Sequence, residues 1–306
     1  MHTMTRYGTD SRLAIFHPPY LELEPIDTAW VPPTLPLPGR CIVWWLVDGR
    51  AQDREFQWLH DRPAGLPLIV VLPPASDIGR AMPLLNYVAS LAPRAVLPNS
   101  RLVSPPRLQH ILATPPQRLS VAAFEYLDRR QLLVDRVVRL EVRRILELVP
   151  EVRSVSRLAS RLYSSRRTLG RHFAAAGLPV PSHWLQFARL LYVATRLQQD
   201  RRLPVFRAAA HAGYPDGFTM SNQMKRLTNY RPTVVRKHLG WEWFIEAWLC
   251  AETRSGSIDH ERYGSAIGIY IDRPTSGHVS LGRSGNPTAT REIGVPRTVG
   301  ALAANP

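Results

Sequence analysis

SVSRLASRLYSSRRTLGRHF (154–173) reads as two short helices joined by a turn. Ser154 or Ser156 can cap the first helix, whose Leu158, Ala159 and Leu162 face inward. A small residue at Ala159 lets two helices cross closely. Tyr163-Ser164 forms the turn, and Ser165 is a good N-cap, because its hydroxyl can accept a bond from a free amide of the next helix. Leu169 and Phe173 are four apart and share the buried side. That leaves Ser165, Arg166, Arg167 and Arg171 outside. Arginines beside a helix N-terminus suit phosphates and the guanine edge.

A similar pattern recurs in PVFRAAAHAGYPDGFTMSNQMKRL (204–227). Val205, Ala208 and Ala209 form the inner side of its first helix. Gly213 suits the left-handed position that ends a helix, and PDG (215–217) is a turn signal. Met220 and Met224 are the buried pair of the second helix. Thr219, Ser221, Asn222, Gln223, Lys225 and Arg226 are its polar remainder, able to bond bases or phosphates. Between the two lies an apolar helical stretch, 182–198, of about 24 Å at 1.5 Å per residue. With its flanking turns it can hold two helices about 34 Å apart, one turn of duplex DNA.

Charge agrees with that reading. The chain has 306 residues and a formal charge of +15. Residues 134–240 carry 20 basic and 6 acidic groups, net +14. Residues 1–133 carry 13 and 11, net +2, and residues 241–306 carry 6 and 7, net −1. A basic surface confined to one segment points to a polyanion. Lys225 and Lys237 are the only lysines, so a genome-wide preference for arginine explains Arg over Lys but not this confinement.

The order of the pieces resembles the C-terminal DNA-binding domain of the AraC/XylS family of bacterial transcription regulators. The likeness rests on Leu158-Ala159, then Ser165, Leu169, Arg171 and Phe173 in an S-x-x-x-L-x-R-x-F pattern, then Gly177, Arg189, Ala194, Ala209 and Gly213-Tyr214. It ends with MKRLTNYRPTVVR (224–236), and covers 137–238, roughly a third of the chain. The resemblance implies seven helices, promoter double-stranded DNA as partner, and control of transcription through RNA polymerase. By position it implies base readers at Arg167, Gly170 and Arg171, and at Phe218, Thr219, Ser221 and Asn222. Gly170 has no side chain to contribute. Several residues depart from the family pattern. Tyr163 replaces a glycine in the first turn, Ser164 an apolar residue, and Asn229 a helix-ending glycine. Met220 and Met224 replace aromatics, and Ala208 and Ala212 larger aliphatics, so looser packing is expected in the second motif.

The chain outside this segment reads differently. Residues 10–39 hold seven of the 28 prolines and read as extended, loop-rich chain. CIVWWLV (41–47), LPLIVVLP (66–73) and RAVLP (94–98) are buried-strand candidates, with helices at 54–60, 78–91 and 106–112. This alternation suggests an open parallel α/β sheet. The expected fold is therefore multidomain. A Pro-rich segment (1–40) precedes an α/β sensor or dimerisation domain (41–133). An all-α domain (134–249) then carries two helix–turn–helix motifs joined by a linker helix, and a disordered tail (250–306) follows, with one strand candidate at 266–271. The α/β part is also similar to the second half of a degenerate response-regulator receiver, with Asp48 at the phospho-acceptor's place. The 40 residues ahead of it are too few for the missing half, and a turn aspartate is the plainer reading.

WEWFIEAWL (241–249) suggests either base stacking or, more simply, a terminal helix packed on a neighbouring domain. His172, His183, His211 and His238 read as packing or surface residues. Lone Cys41 and Cys250 exclude a disulfide framework, and no HxxxH spacing suggests a zinc site. No cofactor, signal pattern or membrane span is indicated, so a bacterial cytoplasmic regulator is expected, with a homodimer through the α/β domain left open. Two rivals belong to other classes: an enzyme with an α/β catalytic domain, though no Gly-rich phosphate loop or nucleophile elbow is present, and a protein–protein adaptor that no longer binds DNA.

Overall fold

The computed structural model describes residues 12–30, 38–46, 53–73, 79, 84–98, 103–149 and 151–267. An N-terminal α/β region comes first: β1 (Leu13–Phe16), β2 (Leu23–Ile26), β3 (Cys41–Trp45), α1 (Asp53–His60), β4 (Leu68–Val71), α2 (Leu85–Ser90), β5 (Ala95–Leu97) and α3 (Pro105–Ala113). A helical region follows: α4 (Leu119–Arg129), α5 (Arg136–Leu148), α6 (Val155–Arg161), α7 (Arg166–Ala175), α8 (Pro181–Gln199), α9 (Val205–His211), α10 (Gly217–Thr228), α11 (Pro232–Lys237), α12 (Glu242–Arg254) and α13 (His260–Ile267).

The sheet order is β2-β1-β3-β4-β5. β3, β4 and β5 are parallel, whereas β1 pairs antiparallel with both β2 and β3. The three strands expected from the sequence are thus parallel as predicted, and the antiparallel hairpin is an addition from outside them. The order is that of flavodoxin-like sheets, the group that includes receivers, but the antiparallel hairpin departs from their doubly wound design. Both hairpin strands come from the Pro-rich segment, which thus contributes sheet as well as loops. β2 sits at the edge, where Pro25 costs no ladder bond. α1 and α2 cover one face, packing Leu59 and Val88 with Ile42, Trp44, Leu68 and Val70. α3 covers the other, packing Leu108 and Leu112 with Val43, Ile69 and Val71. Asp48 lies outside the described residues, as do residues 78 and 80–83 of the predicted 78–91 helix, whose second half is α2.

Tyr20 ties the hairpin to the helical region. Its buried hydroxyl donates to the Gly39 carbonyl at 2.6 Å and accepts from the Leu239 amide at 2.7 Å. Tyr20→Phe strands both buried groups. A loss of about 1–3 kcal/mol in chemical denaturation is the expected outcome.

α12 is buried on every side. Trp248 stacks on Phe187 of α8 at 4.0 Å between ring centroids and meets Trp184 edge-on at 4.7 Å. Trp241, Trp243 and Trp248 are therefore packing residues and are closed to base stacking. Three glutamates share this core, each with a partner from another element. Glu242 pairs with Arg94, Glu246 with Arg130 and the Tyr126 hydroxyl, and Glu252 with His183.

The predicted tail begins as ordered chain. α12 continues to Arg254, and α13 occupies part of the segment read as disordered. The strand candidate at 266–271 is overturned at its start, where residues 266 and 267 end α13, and 268–271 lie outside the described residues. The turn before α13 closes on the end of α7: the Asp259 amide donates to the Gly177 carbonyl, and the Tyr263 hydroxyl to the Ala176 carbonyl at 2.8 Å.

Candidate nucleic-acid interface

Two helix pairs, α6–α7 and α9–α10, share one construction. In the first, the Ser154 hydroxyl accepts from the Arg157 amide and caps α6. The helix ends when the Tyr163 amide bonds the Ser160 carbonyl and the Ser164 amide bonds the Ala159 carbonyl. This double bond pattern requires a left-handed residue, and Tyr163 takes it at φ +52° while fully exposed. A side chain in that region costs about 1–2 kcal/mol. Tyr163→Gly is expected to raise stability by about 1 kcal/mol, visible as a higher melting temperature.

The second pair repeats the closure at Gly213 (φ +73°), with the Gly213 amide on the Ala210 carbonyl and the Tyr214 amide on the Ala209 carbonyl. The positive φ is what calls for glycine here, since the Arg153 guanidinium that a Cβ would meet is the end of an exposed, flexible side chain. Arg189 of α8 fastens this turn. Its Nε donates to the Ala212 carbonyl at 3.0 Å, and its guanidinium lies 4.1 Å from the Tyr214 ring centre. Burial holds the Arg189 pKa below its ordinary value.

The second helix of each pair starts on a side-chain cap. The Ser165 hydroxyl accepts from the Thr168 amide at 3.0 Å, and Asp216 accepts from the Thr219 amide at 2.6 Å and the Thr219 hydroxyl at 2.8 Å. These bonds, the amide first, hold the Asp216 carboxyl below the usual range. Asp216 as cap was missed within the PDG turn signal, although a threonine three residues on marks it. Counted from the caps, Leu169 corresponds to Met220 and Phe173 to Met224, and all four are buried. Ala208 and Ala212 are buried as well, with α10 resting on α12, so these small and flexible residues sit inside a closed core. Asn229 ends α10 at φ +64°, a conformation asparagine tolerates.

The outer sides of the two helices differ. Arg166, Arg167 and Arg171 are exposed, with no hydrogen bond or ion pair among the described residues. On α10, Phe218 is 77 % exposed and Asn222 is exposed without a partner. Four of their polar neighbours are engaged, whereas Gln223 has no partner among the described residues. Thr219 is bonded to Asp216, Ser221 donates to the Gly217 carbonyl at 2.6 Å, Lys225 to the Asn229 carbonyl at 2.6 Å, and Arg226 to Gln186 Oε1 at 3.1 Å. Neither helix contains an acidic residue. Several other arginines of the region are neutralised, as in Arg139–Asp128, Arg143–Glu147 and Arg161–Glu151.

α8 spans 19 residues, roughly 28 Å, and joins the pairs. Its Gln198 amide donates to the carbonyls of His238 and Gly240 at 2.8 and 3.1 Å, fixing the α11–α12 hinge to its C-terminal end. His172 and His183 bond glutamates, and His238 bonds a backbone carbonyl. No metal-binding group occurs among the described residues, and no helix there is long and apolar enough to cross a membrane.

A family model described as a helix-turn-helix domain matches residues 158–238. The match supports an AraC-like helix-turn-helix regulator with a DNA-binding regulatory domain. No curated protein and no solved structure matches the chain.

Proposed function

We propose that this chain is a sequence-specific transcription regulator that reads two successive major grooves of double-stranded promoter DNA with α7 and α10. The observation that carries this reading is the shared construction of the two pairs. Each presents a capped, acid-free helix whose inner side is buried and whose outer side is open. The unpaired Arg166, Arg167 and Arg171 supply electrostatic capture, and Arg167 and Arg171 reach base edges. Ser165 and its first-turn amides hold a phosphate. On α10, Asn222 and Phe218 face the bases, while Thr219, Ser221, Lys225 and Arg226 stand beside the backbone.

The α/β region serves as a sensor or dimerisation unit in a cytoplasmic regulator, and its output recruits or obstructs RNA polymerase. α12 supports that division of labour, since it packs against α10 and holds Arg94 and Arg130 from outside the two pairs. Mobility shifts of the full chain on genomic fragments from around its own gene test the reading. Specific binding should survive competitor DNA, and log affinity should fall with log salt by about 0.9 per phosphate neutralised. Binding abolished by competitor at every fragment would instead favour the adaptor reading.

A further inference from the structure

Counted from their caps, Ser165 and Asp216, α7 and α10 place different chemistry at equivalent positions. The second residue after the cap is Arg167 in α7 and Phe218 in α10, and the sixth is Arg171 and Asn222. Each pair is separated by four residues, so its members share one side of their helix. All four are exposed, and the three polar ones have no partner among the described residues. Two arginines so placed match the O6 and N7 acceptors of guanine. Asparagine matches the N6 and N7 edge of adenine, and phenylalanine the C5-methyl group of thymine. Phe206 of α9, 62 % exposed, is a second exposed aromatic of this helix pair. Thr219, Ser221, Lys225 and Arg226 each already hold a bond within the protein, whereas Asn222 holds none among the described residues.

We infer that the two helices read different base classes: α7 takes guanine through Arg167 and Arg171, and α10 takes a thymine methyl through Phe218 and an adjacent adenine through Asn222. The target is then polar, with a G·C segment and an A·T segment one helical turn, about 10 bp, apart. This inference rests on the DNA-reading function proposed above.

The test uses the full chain and a duplex it selects from random-sequence DNA. Deoxyuridine replaces thymine one position at a time, removing only the methyl. Separately, 7-deazaguanine replaces guanine, removing only N7. Loss of the methyl should weaken binding about 4-fold at a thymine in the A·T segment and leave Phe218→Ala indifferent. Loss of N7 should weaken binding about 5-fold or more in the G·C segment and leave Arg171→Ala indifferent. The inference is overturned if no thymine methyl matters, if Phe218→Ala stays as methyl-sensitive as the parent, or if both effects fall in one segment. Failure to select any duplex is a different result, which overturns the DNA-reading function and this assignment with it.

Discussion

Replacing both Arg167 and Arg171 with alanine should lower affinity for the selected duplex by about 2–6 kcal/mol, at 1–3 kcal/mol for each base-reading guanidinium. The melting temperature should stay within about a degree of the parent. The two side chains are exposed and unpaired, so the folded protein loses no bond with them. Fluorescence anisotropy with labelled duplex measures the first quantity and thermal unfolding the second. Competition with a scrambled duplex separates their roles: residues that read bases lose the preference, whereas phosphate contacts weaken binding to all sequences equally. An affinity unchanged by the double substitution would remove α7 from the interface.

The second large effect concerns folding. Arg130 meets Glu246 with two bonds, Nε to Oε1 at 3.0 Å and Nη2 to Oε2 at 3.2 Å. Tyr126 adds a third at 2.6 Å. Glu246 is buried within α12. Arg130→Ala leaves that carboxylate with the tyrosine alone and should cost about 3–5 kcal/mol, a large share of a typical domain's stability. Replacing both members, Arg130→Met with Glu246→Leu, removes the stranded charge and should cost much less. Urea denaturation of the two variants distinguishes a stranded charge from simple loss of packing. Equal losses in both would favour packing.

Much of the helix-pair architecture was legible in the sequence because its signals are local. Ser165, Leu169 and Phe173 combine a cap with an i, i+4 buried pair, and the structure places all three in those roles. Gly213 marks a left-handed helix end by its residue type, and Asn229 marks one through the resemblance, where it stands in place of a helix-ending glycine. Tyr163 takes the same conformation against its own preference, and what points to it is the glycine that the resembled family carries at that turn. The hairpin was harder to see. β1 and β2 have four residues each, one contains a proline, and their pairing is settled by neighbours rather than by periodicity. α12 was legible as a packing helix but not as the centre of the core. Its glutamates look like a solvent face until Arg94, Arg130 and His183 arrive from distant parts of the chain. The clamp of residues 259–263 on the end of α7 left no signal, since DHERY is charged or polar up to its tyrosine and gives no buried pattern to read.

For the interface, the residue types were legible and their availability was not. The sequence offers Thr219, Ser221, Lys225 and Arg226 on equal terms with Asn222 and Gln223. Only the folded chain shows that Asp216, the Gly217 and Asn229 carbonyls and Gln186 already hold the first four.

The central claim is that two helices of one chain read two successive grooves. Hydroxyl-radical footprinting of the full chain on its selected duplex tests it most directly. The account predicts two protected patches on one face of the duplex, about 10 bp apart. Arg167→Ala with Arg171→Ala should erase one patch, and Phe218→Ala with Asn222→Ala the other. A single patch, or two patches that weaken together in both variants, would contradict it.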